Sequence, residues 1–312
     1  MVPNAENTIV IGGGPGGASA AIYLARYRCP VLVFDAPAKV HGRTAHATSL
    51  ENFLGHTGLV TGENFLERVG RQMDGFGIER RNEKVTKVEA RQPVGFTVTT
   101  EGGVYAARYL IVAVGITDTM PNIEGLEAYY QHSVFRCPTC DWYQNRGKRI
   151  IIVADDDAGL TLAIELAVLE HPPAMSVIAS RPGVIFSDSL QSEAAVFDIH
   201  TYSSPLIAVE GGDGFLQRVR LADATEVEAD IMVTALGYSR LDLFLDAGSL
   251  QVERDKRGFI RVDPRTCESS YPDLFAVGPC NDGPDQVVIA AGEGALAATT
   301  IERRIISQLK FV

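Results

Sequence analysis

The stretch that decides the fold is TIVIGGGPGG, residues 8–17. A short β-branched run leads directly into Gly12, Gly14 and Gly17, which have GxGxxG spacing, and the alanine-rich residues 18–25 favour a helix. A second apolar run ends at Asp35. This order predicts a strand–helix–strand unit whose helix N-terminus faces a diphosphate while Asp35 accepts a hydrogen bond from a ribose hydroxyl. The spacing therefore predicts a dinucleotide site, and by itself it fits FAD and NAD(P) equally.

Size and charge narrow the class of protein. At ~100–200 residues per domain, a chain of 312 residues predicts two domains. The 28 Lys and Arg against 39 Asp and Glu leave a net charge of −11, which disfavours nucleic-acid binding and an anionic membrane surface. No apolar run reaches the ~18 residues of a membrane helix, and no signal peptide is recognisable, so we expect a cytoplasmic protein.

The plan of the first unit repeats along the chain. In each half a strand–helix–strand pattern precedes strand-like runs that predict a meander, and a terminal helix starts near Gln286. The repeat predicts an α/β protein with two tandem Rossmann-like domains of the nucleotide-binding type, each with three layers in the arrangement ββα. We expect a discontinuous first domain, 1–117 with 246–312, and a central domain, 118–245. The runs that carry this prediction are 84–90, 95–100 and 109–114, then 149–153, 160–170, 175–179 and 206–235, and finally 258–262 and 274–277.

A second motif is Cys137-Pro-Thr-Cys140-Asp141. Two Cys three residues apart at a helix start bring their sulfurs within disulfide reach, and the helix N-terminus favours a thiolate. The adjacent Asp141 is placed to transfer a proton during exchange. The spacing also occurs in half of a zinc site or in unrelated core cysteines, but no second ligand pair is present, so we expect no metal. Isolated Cys29, Cys267 and Cys280 are expected to be buried apolar residues.

The second strand–helix–strand unit lacks the glycines of the first. Its turn is Ala154-Asp-Asp-Asp-Ala-Gly159, so Ala154 and Asp156 take the first two glycine positions. Side chains there crowd a diphosphate, and three carboxylates repel it. The same residues also suit the cap and dipole of a helix N-terminus, and both interpretations exclude a phosphate. After the next strand, Arg181 is the one cation available for a 2′-phosphate.

The order of motifs resembles the low-molecular-weight thioredoxin reductase family over essentially the whole chain. The resemblance implies FAD on the first domain, the dithiol in the central domain, a thioredoxin-like protein disulfide as partner, and a homodimer. It implies that Cys137 attacks the partner disulfide, Cys140 faces the flavin and Asp141 is the acid/base. The matching pieces are Gly12–Gly17, 50–55, 112–115, 137–141, 235–237, 258–262, 275–278 and 286–294.

Residue by residue, the resemblance extends the expected FAD site beyond the glycine loop and Asp35. Asn52 is expected on the flavin side. The full set of expected cofactor-binding residues is Gly12, Gly14, Pro15, Gly16, Gly17, Asp35, Gly42, Arg43, Asn52, Ala113, Gly115, Gly278, Gln286 and Val287.

Departures from the family pattern point to a particular branch. The second glycine loop and the basic 2′-phosphate motif are missing, and Pro279, Asp285 and Trp142 stand where the family has Asp, Arg and Gly. The pattern is closer to pyridine-nucleotide-independent relatives, namely ferredoxin-dependent flavin thioredoxin reductases and diflavin-linked disulfide oxidoreductases. In the latter, Trp142 or Tyr143 would stack on a second flavin; a packed aromatic pair is the alternative.

These observations give one leading hypothesis and two alternatives. The leading one is a flavin-dependent disulfide oxidoreductase that passes electrons from FAD to the Cys137/Cys140 disulfide and on to a partner disulfide. NADPH is not expected as the donor; ferredoxin or a second FAD would supply electrons. The alternatives are an FAD-dependent dithiol oxidase that uses oxygen, and a non-catalytic flavin-binding redox sensor.

Overall fold

The computed structural model describes residues 8–36, 42–130, 132–136, 138–141, 143–248 and 250–309. The chain divides into two compact units. Unit 1 is drawn from 1–46, 51–117 and 239–312, and unit 2 from 47–50 and 118–238.

The described strands and helices follow one another in the order expected of a duplicated α/β plan. The strands are β1 Thr8–Ile11, β2 Val31–Phe34, β3 Glu79–Arg81, β4 Val85–Ala90, β5 Phe96–Thr100, β6 Val104–Ala107, β7 Tyr109–Val112, β8 Ile116–Asp118, β9 Val134–Phe135, β10 Ile150–Ala154, β11 Met175–Ala179, β12 Ile199–Tyr202, β13 Leu206–Gly212, β14 Phe215–Leu221, β15 Glu226–Glu228, β16 Ile231–Ala235, β17 Tyr238–Arg240 and β18 Leu274–Ala276. The helices are α1 Pro15–Arg26, α2 Gly62–Gly75, α3 Pro138–Asp141, α4 Ala158–Glu170, α5 Asp188–Val196, α6 Leu243–Ala247 and α7 Val287–Leu309, with short 3₁₀ turns at Arg43–His46, Leu126–Tyr129 and Tyr143–Asn145.

Unit 1 is built on a parallel sheet of order β18-β7-β1-β2-β3. Thr8 of β1 pairs with Val31 on one side and Tyr109 on the other. Every residue of β1 and β7 is buried, as expected for central strands covered on both faces. Helices α1 and α7 pack together, and their alanines complete the core beneath the sheet.

A three-stranded antiparallel sheet, β4-β5-β6, accompanies the parallel sheet of unit 1. The sequence predicts its first two strands, but the assignment of 109–114 to the same meander is wrong. Residues 109–112 form β7 of the parallel sheet, and the third meander strand is β6. A short, fully apolar run fits a buried parallel strand as well as a meander strand, so composition alone does not separate them.

Unit 2 repeats the plan with a parallel sheet of order β12-β11-β10-β16-β9. Its central strand β10 pairs with β11 and β16 along its full length. The antiparallel sheet β13-β14-β15 forms the predicted meander. That meander ends before 231–235, because these residues form β16 of the parallel sheet.

The fold class predicted from the sequence is confirmed: both units carry a Rossmann-type parallel sheet. One predicted strand is absent from the described residues, since 258–262 makes only isolated bridges, among them Ile260 to Asn281 and Val262 to Ser269. Among the helices that the structure describes, none is both long and apolar enough to cross a bilayer. The cytoplasmic location stays a prediction.

Candidate functional site

The glycine loop after β1 is shaped by two close backbone approaches. Gly12 has φ +107°, and a Cβ there would lie 2.4 Å from the carbonyl oxygen of Ala113. A Cβ on Gly17 would lie 1.9 Å from the carbonyl oxygen of Gly12. Both positions therefore exclude any side chain, and Ala113, from the strand-end segment after β7, forms one wall of the loop.

The N-terminus of α1 opens into free space. Gly14 is the N-cap residue and has no side-chain cap, Pro15 occupies the first turn, and no acidic residue lies there. A Cβ added to Gly14 would meet nothing within 4 Å. Unpaired N–H groups and the positive end of the helix dipole therefore face an open cradle, which suits a diphosphate.

Asp35, directly after β2, lies against the same loop. Its Oδ2 is 2.6 Å from where a Cβ of Gly13 would be, so only glycine at 13 lets the carboxylate approach this closely. The backbone N–H of Asp35 donates to Arg81 O at 2.9 Å, which fixes the strand end. The carboxylate is thus placed as a hydrogen-bond acceptor beside the cradle, and these residues fit the adenosine diphosphate part of FAD.

The opposite rim is formed by the segment after β18. The Gly278 N–H donates to Glu293 Oε2 at 2.6 Å, and Asn281 Nδ2 donates to the same oxygen at 2.9 Å. Asn281 is 1% exposed, and its Oδ1 accepts from the Gly283 N–H at 2.8 Å. Burial raises the pKa of the Glu293 carboxyl. Sequence analysis did not single out Glu293 and Asn281 as functional; the signal was one acidic residue inside the alanine-rich start of α7.

The start of α7 lies close to the start of α1. A Cβ on Gly294 would lie 2.0 Å from the carbonyl oxygen of Gly16, and Ser19 Oγ donates to Ala291 O at 2.6 Å. Near this helix start, Asn52 Nδ2 donates to Gln286 Oε1 at 3.0 Å.

An ion pair lies beside this contact, between Arg43 and Asp285. Of the other expected cofactor residues, Val287 begins α7. At Gly42 and at Gly115, an added Cβ would meet no atom within 4 Å. Unit 1 therefore brings most of the expected set to the carboxyl ends of its parallel strands and to the starts of α1 and α7. The set so placed is Gly12, Gly14, Pro15, Gly16, Gly17, Asp35, Asn52, Ala113, Gly278, Gln286 and Val287.

Of the predicted dithiol, the structure describes Cys140, which lies on the four-residue helix α3 and is disulfide-bonded. Cys137 and Trp142 lie outside the described residues. Cys29, Cys267 and Cys280 are free and buried, as the sequence predicts. Burial raises the pKa of Cys267 and of Cys280 to about 12, so these thiols are poor nucleophiles at neutral pH.

Asp141 ends helix α3 and is 9% exposed. Burial raises the pKa of its carboxyl to about 7. Its backbone carbonyl accepts from Asn145 Nδ2 at 2.7 Å, which joins the helix to the next turn. A carboxyl that titrates near neutrality beside a disulfide can both donate and accept a proton under physiological conditions.

Next to it, Tyr143 is 73% exposed. The Arg146 guanidinium carbon lies 3.8 Å from the centre of its ring, in cation–π contact. Of the two aromatic residues expected to stack on a second flavin, Trp142 and Tyr143, the structure describes Tyr143.

The turn between β10 and α4 has a different shape from the glycine loop. A Cβ on Gly159 would lie 2.2 Å from the Cβ of Ala154, so the last glycine is still required by packing. Ala154 is fully buried and occupies the position equivalent to Gly12.

The three aspartates of this turn all have partners. Asp155 accepts from Ser180 Oγ and lies 3.7 Å from Arg181 Nε. Asp156 Oδ1 accepts from the Ala158 N–H at 2.9 Å, and Asp157 Oδ1 accepts from the Ser187 N–H at 2.8 Å. Asp156 therefore binds one N–H at the start of α4, a kind of donor that a diphosphate at a helix N-terminus would also use. The N-cap residue Asp157 makes no side-chain cap bond, so the expectation that these aspartates cap the helix holds for Asp156 alone.

No cluster of His, Cys, Asp or Glu suited to a metal ion occurs among the described residues. The cavity of about 340 Å³ at the end of α4, lined by His171, Phe197 and Asp198 among others, contains none of the expected site residues.

Comparison with known proteins extends these observations. A family profile described as pyridine nucleotide-disulphide oxidoreductase matches residues 6–294. The chain is 30% identical to the bifunctional thioredoxin reductase/thioredoxin of Mycobacterium leprae, covering 96% of this chain and 67% of that protein. It is 29% identical to the thioredoxin reductase of Mycolicibacterium smegmatis, covering 97% of each.

Among solved structures, the thioredoxin reductase of Giardia duodenalis superposes with a TM-score of 0.85 at 27% identity, over 96% of this chain and 99% of that one. The match of the family profile covers the glycine loop, the dithiol, the second turn and the start of α7 together. The chain therefore belongs to the pyridine nucleotide-disulphide oxidoreductase family, as a flavoprotein oxidoreductase of the thioredoxin reductase-like type.

Proposed function

We propose that this chain is an FAD-dependent disulfide oxidoreductase that reduces a thioredoxin-like protein disulfide without using NADPH. The family takes its name from pyridine nucleotides. The proposal therefore differs from that name in the electron donor. The observation that carries it is the contrast between two equivalent turns, one after β1 and one after β10.

At the first turn, Gly14 leaves the α1 N-terminus open, and no acidic side chain lies in the first turn of the helix. At the second, Asp156 holds the equivalent position and accepts from the Ala158 N–H. Two like charges ~4 Å apart repel by about 1 kcal/mol in water, and by more near a low-dielectric wall. A diphosphate at the second turn would meet three carboxylates and would have to displace the cap.

When bound, FAD supplies a redox centre that holds two electrons and exchanges them one or two at a time. The chain's contribution would be to hold it: the open α1 N-terminus would face its diphosphate, Asp35 would accept from its ribose, and Asn52 and Gln286 would lie on the flavin side.

The dithiol carries out the exchange with the partner. In its reduced form, the Cys137 thiolate attacks the partner disulfide, which forms a mixed disulfide and releases one partner thiolate. Cys140 then attacks the Cys137 sulfur, which restores the intramolecular disulfide and releases the second partner thiolate. The partner gains two electrons and the dithiol loses two. Asp141, with a pKa of about 7, donates a proton to the leaving thiolate and accepts the proton of the attacking thiol.

The electron donor in this proposal is a one-electron carrier such as ferredoxin, which reduces FAD either directly or through a second flavin stacked on Trp142 and Tyr143. The exposed ring of Tyr143 supports a contact of either kind. A homodimer, as the resemblance implies, is part of the proposal.

The test is anaerobic stopped-flow absorbance of the purified flavoprotein. We expect micromolar NADPH and NADH to leave the oxidised flavin band unchanged, whereas dithionite or a reduced carrier bleaches it. Ala154→Gly/Asp156→Gly, which restores the glycines of the second turn, should gain measurable NADPH oxidation. Rapid bleaching of the parent protein by NADPH would overturn the proposal.

A further inference from the structure

Two side-chain pairs join distant parts of unit 1. Arg43 forms an ion pair with Asp285, and Asn52 Nδ2 donates to Gln286 Oε1 at 3.0 Å. The partners are more than 230 residues apart in sequence, with separations of 242 and 234. Together they connect the segment 43–52 to the two residues that precede α7.

These pairs lie at the rim of the expected FAD cradle. The Ala290 N–H donates to Gln286 O at 2.9 Å, so the pairs are one helical turn from Ala290. The carbonyl oxygen of Ala290 in turn lies close to the start of α1, since a Cβ added to Gly16 would be 3.2 Å from it. The residues expected to bind FAD stand on both sides: Gly42, Arg43 and Asn52 on one segment, Gln286 and Val287 on the other.

Asp285 also changes the charge of this rim. It stands just before the N-terminus of the 23-residue helix α7, where a carboxylate is favourable to the helix dipole. It pairs with Arg43, which would otherwise offer its charge to a phosphate. The structure therefore shows a carboxylate at this rim together with its cationic partner.

The exposure of the ion pair decides what it can do. Arg43 and Asp285 side chains are 22% and 46% exposed. Ion pairs with this access to water contribute little to stability and weaken with salt. Such a pair adds little to the stability of the fold, but a ligand that contacts both segments can leave only when the segments separate.

We propose that the Arg43–Asp285 ion pair, supported by the Asn52–Gln286 hydrogen bond, is a latch that slows the release of FAD. The inference rests on the proposed binding of FAD by unit 1. It predicts that the latch acts on the rate of cofactor loss, depends on ionic strength, and changes the stability of the apoprotein only slightly.

The test measures FAD dissociation as recovery of free flavin fluorescence after dilution, at 25 °C in low and high salt. Asp285→Asn and Arg43→Gln should each speed release about two- to fivefold at low salt, the range an exposed ion pair supports. The double variant should be no faster than either single variant. The charge-exchanged variant Arg43→Asp/Asp285→Arg should return release toward the parent rate. In the parent, but not in the double variant, high salt should accelerate release.

Glu67→Gln is the matched control, because Glu67 forms an exposed ion pair with Arg71 on α2 at 2.9 Å. It should not change the release rate, and thermal unfolding of the apoprotein should differ only slightly among the variants. If the parent retains FAD and Asp285→Asn releases it at the same rate or more slowly, the latch is wrong while the proposed function stands. If the parent binds no FAD, the proposed function fails and the latch fails with it.

Discussion

The carboxylate of Glu293 and the backbone N–H of Gly278 are joined by a 2.6 Å hydrogen bond, which fixes the segment after β18 against helix α7. The same oxygen accepts from buried Asn281. Glu293→Ala removes the acceptor of the Gly278 N–H and one of two acceptors of Asn281 Nδ2, which also donates to Ala276 O at 3.1 Å. Losing the acceptor of a buried donor costs about 1–3 kcal/mol. We expect a matching fall in the free energy of urea unfolding and about tenfold weaker FAD binding. Glu302→Ala, also on α7, is the control and should change neither. An unchanged FAD affinity in Glu293→Ala would show that this network does not position the rim.

The buried carboxyl of Asp141 predicts a stability that depends on pH. Burial raises its pKa in the folded state to about 7, from the ordinary value of 3.8 for an aspartate side chain. Between pH 3.8 and pH 7 the folded state therefore holds a proton on Asp141 that the unfolded state has lost. The stability that this proton contributes is present at low pH and is lost as the pH rises toward 7. Asp141→Asn should remove that slope and be more stable than the parent at pH 8, by on the order of 3 kcal/mol. Thermal melts from pH 4 to 8 check this; parallel curves for the two proteins would contradict it.

The same substitution should impair exchange with a protein disulfide. Removing a general acid typically costs ~10²–10⁴ in rate. We expect Asp141→Asn to slow reduction of a thioredoxin-like disulfide by at least tenfold and to remove the inflection near neutral pH. Asp188→Asn, at the exposed start of α5, serves as the control for a generic change of charge. A parent-like pH profile would remove Asp141 from the mechanism.

The described cysteines should differ sharply in their reaction with alkylating reagents. With a pKa of about 12, Cys267 and Cys280 hold only about one thiolate in 10⁴ at pH 8. After mild reduction of the native protein, Cys140 should be labelled rapidly, and Cys29, Cys267 and Cys280 only on unfolding. Peptide mass spectrometry reports each site. Rapid labelling of Cys280 in the folded, reduced protein would contradict the burial argument.

An ion-pair network in unit 1 predicts a stability effect far from the dithiol. Arg304 bonds to Glu268 and Asp273, and Asp273 also pairs with Arg108. These side chains are mostly shielded from water, so Arg304→Ala should lower the free energy of unfolding by about 1–3 kcal/mol, partly through lost contact with Phe275. Exposed Arg303 is the neighbouring control, and Arg303→Ala should stay within about 0.5 kcal/mol of the parent.

The sequence predicts the glycine loop, the order of elements and the duplicated sheets, because glycine spacing and apolar runs are local signals. It does not separate β7 from the meander, since a short buried strand carries no alternation. Nor does it predict that Arg43 reaches Asp285 or that Asp141 is buried. Those facts depend on contacts between residues far apart in sequence, or on how neighbouring segments cover a short helix.

Only the final glycine survives in the second turn, and Gly159 is kept there by the Cβ of Ala154, 2.2 Å from where its own would be. In this loop the last glycine lets the helix pack against the strand, and the first two glycines make room for an anion. The two requirements are independent of each other. If the proposed function is right, a genome survey that scores only the last glycine would assign a second nucleotide site to chains like this one, whereas a survey of the first two positions would not.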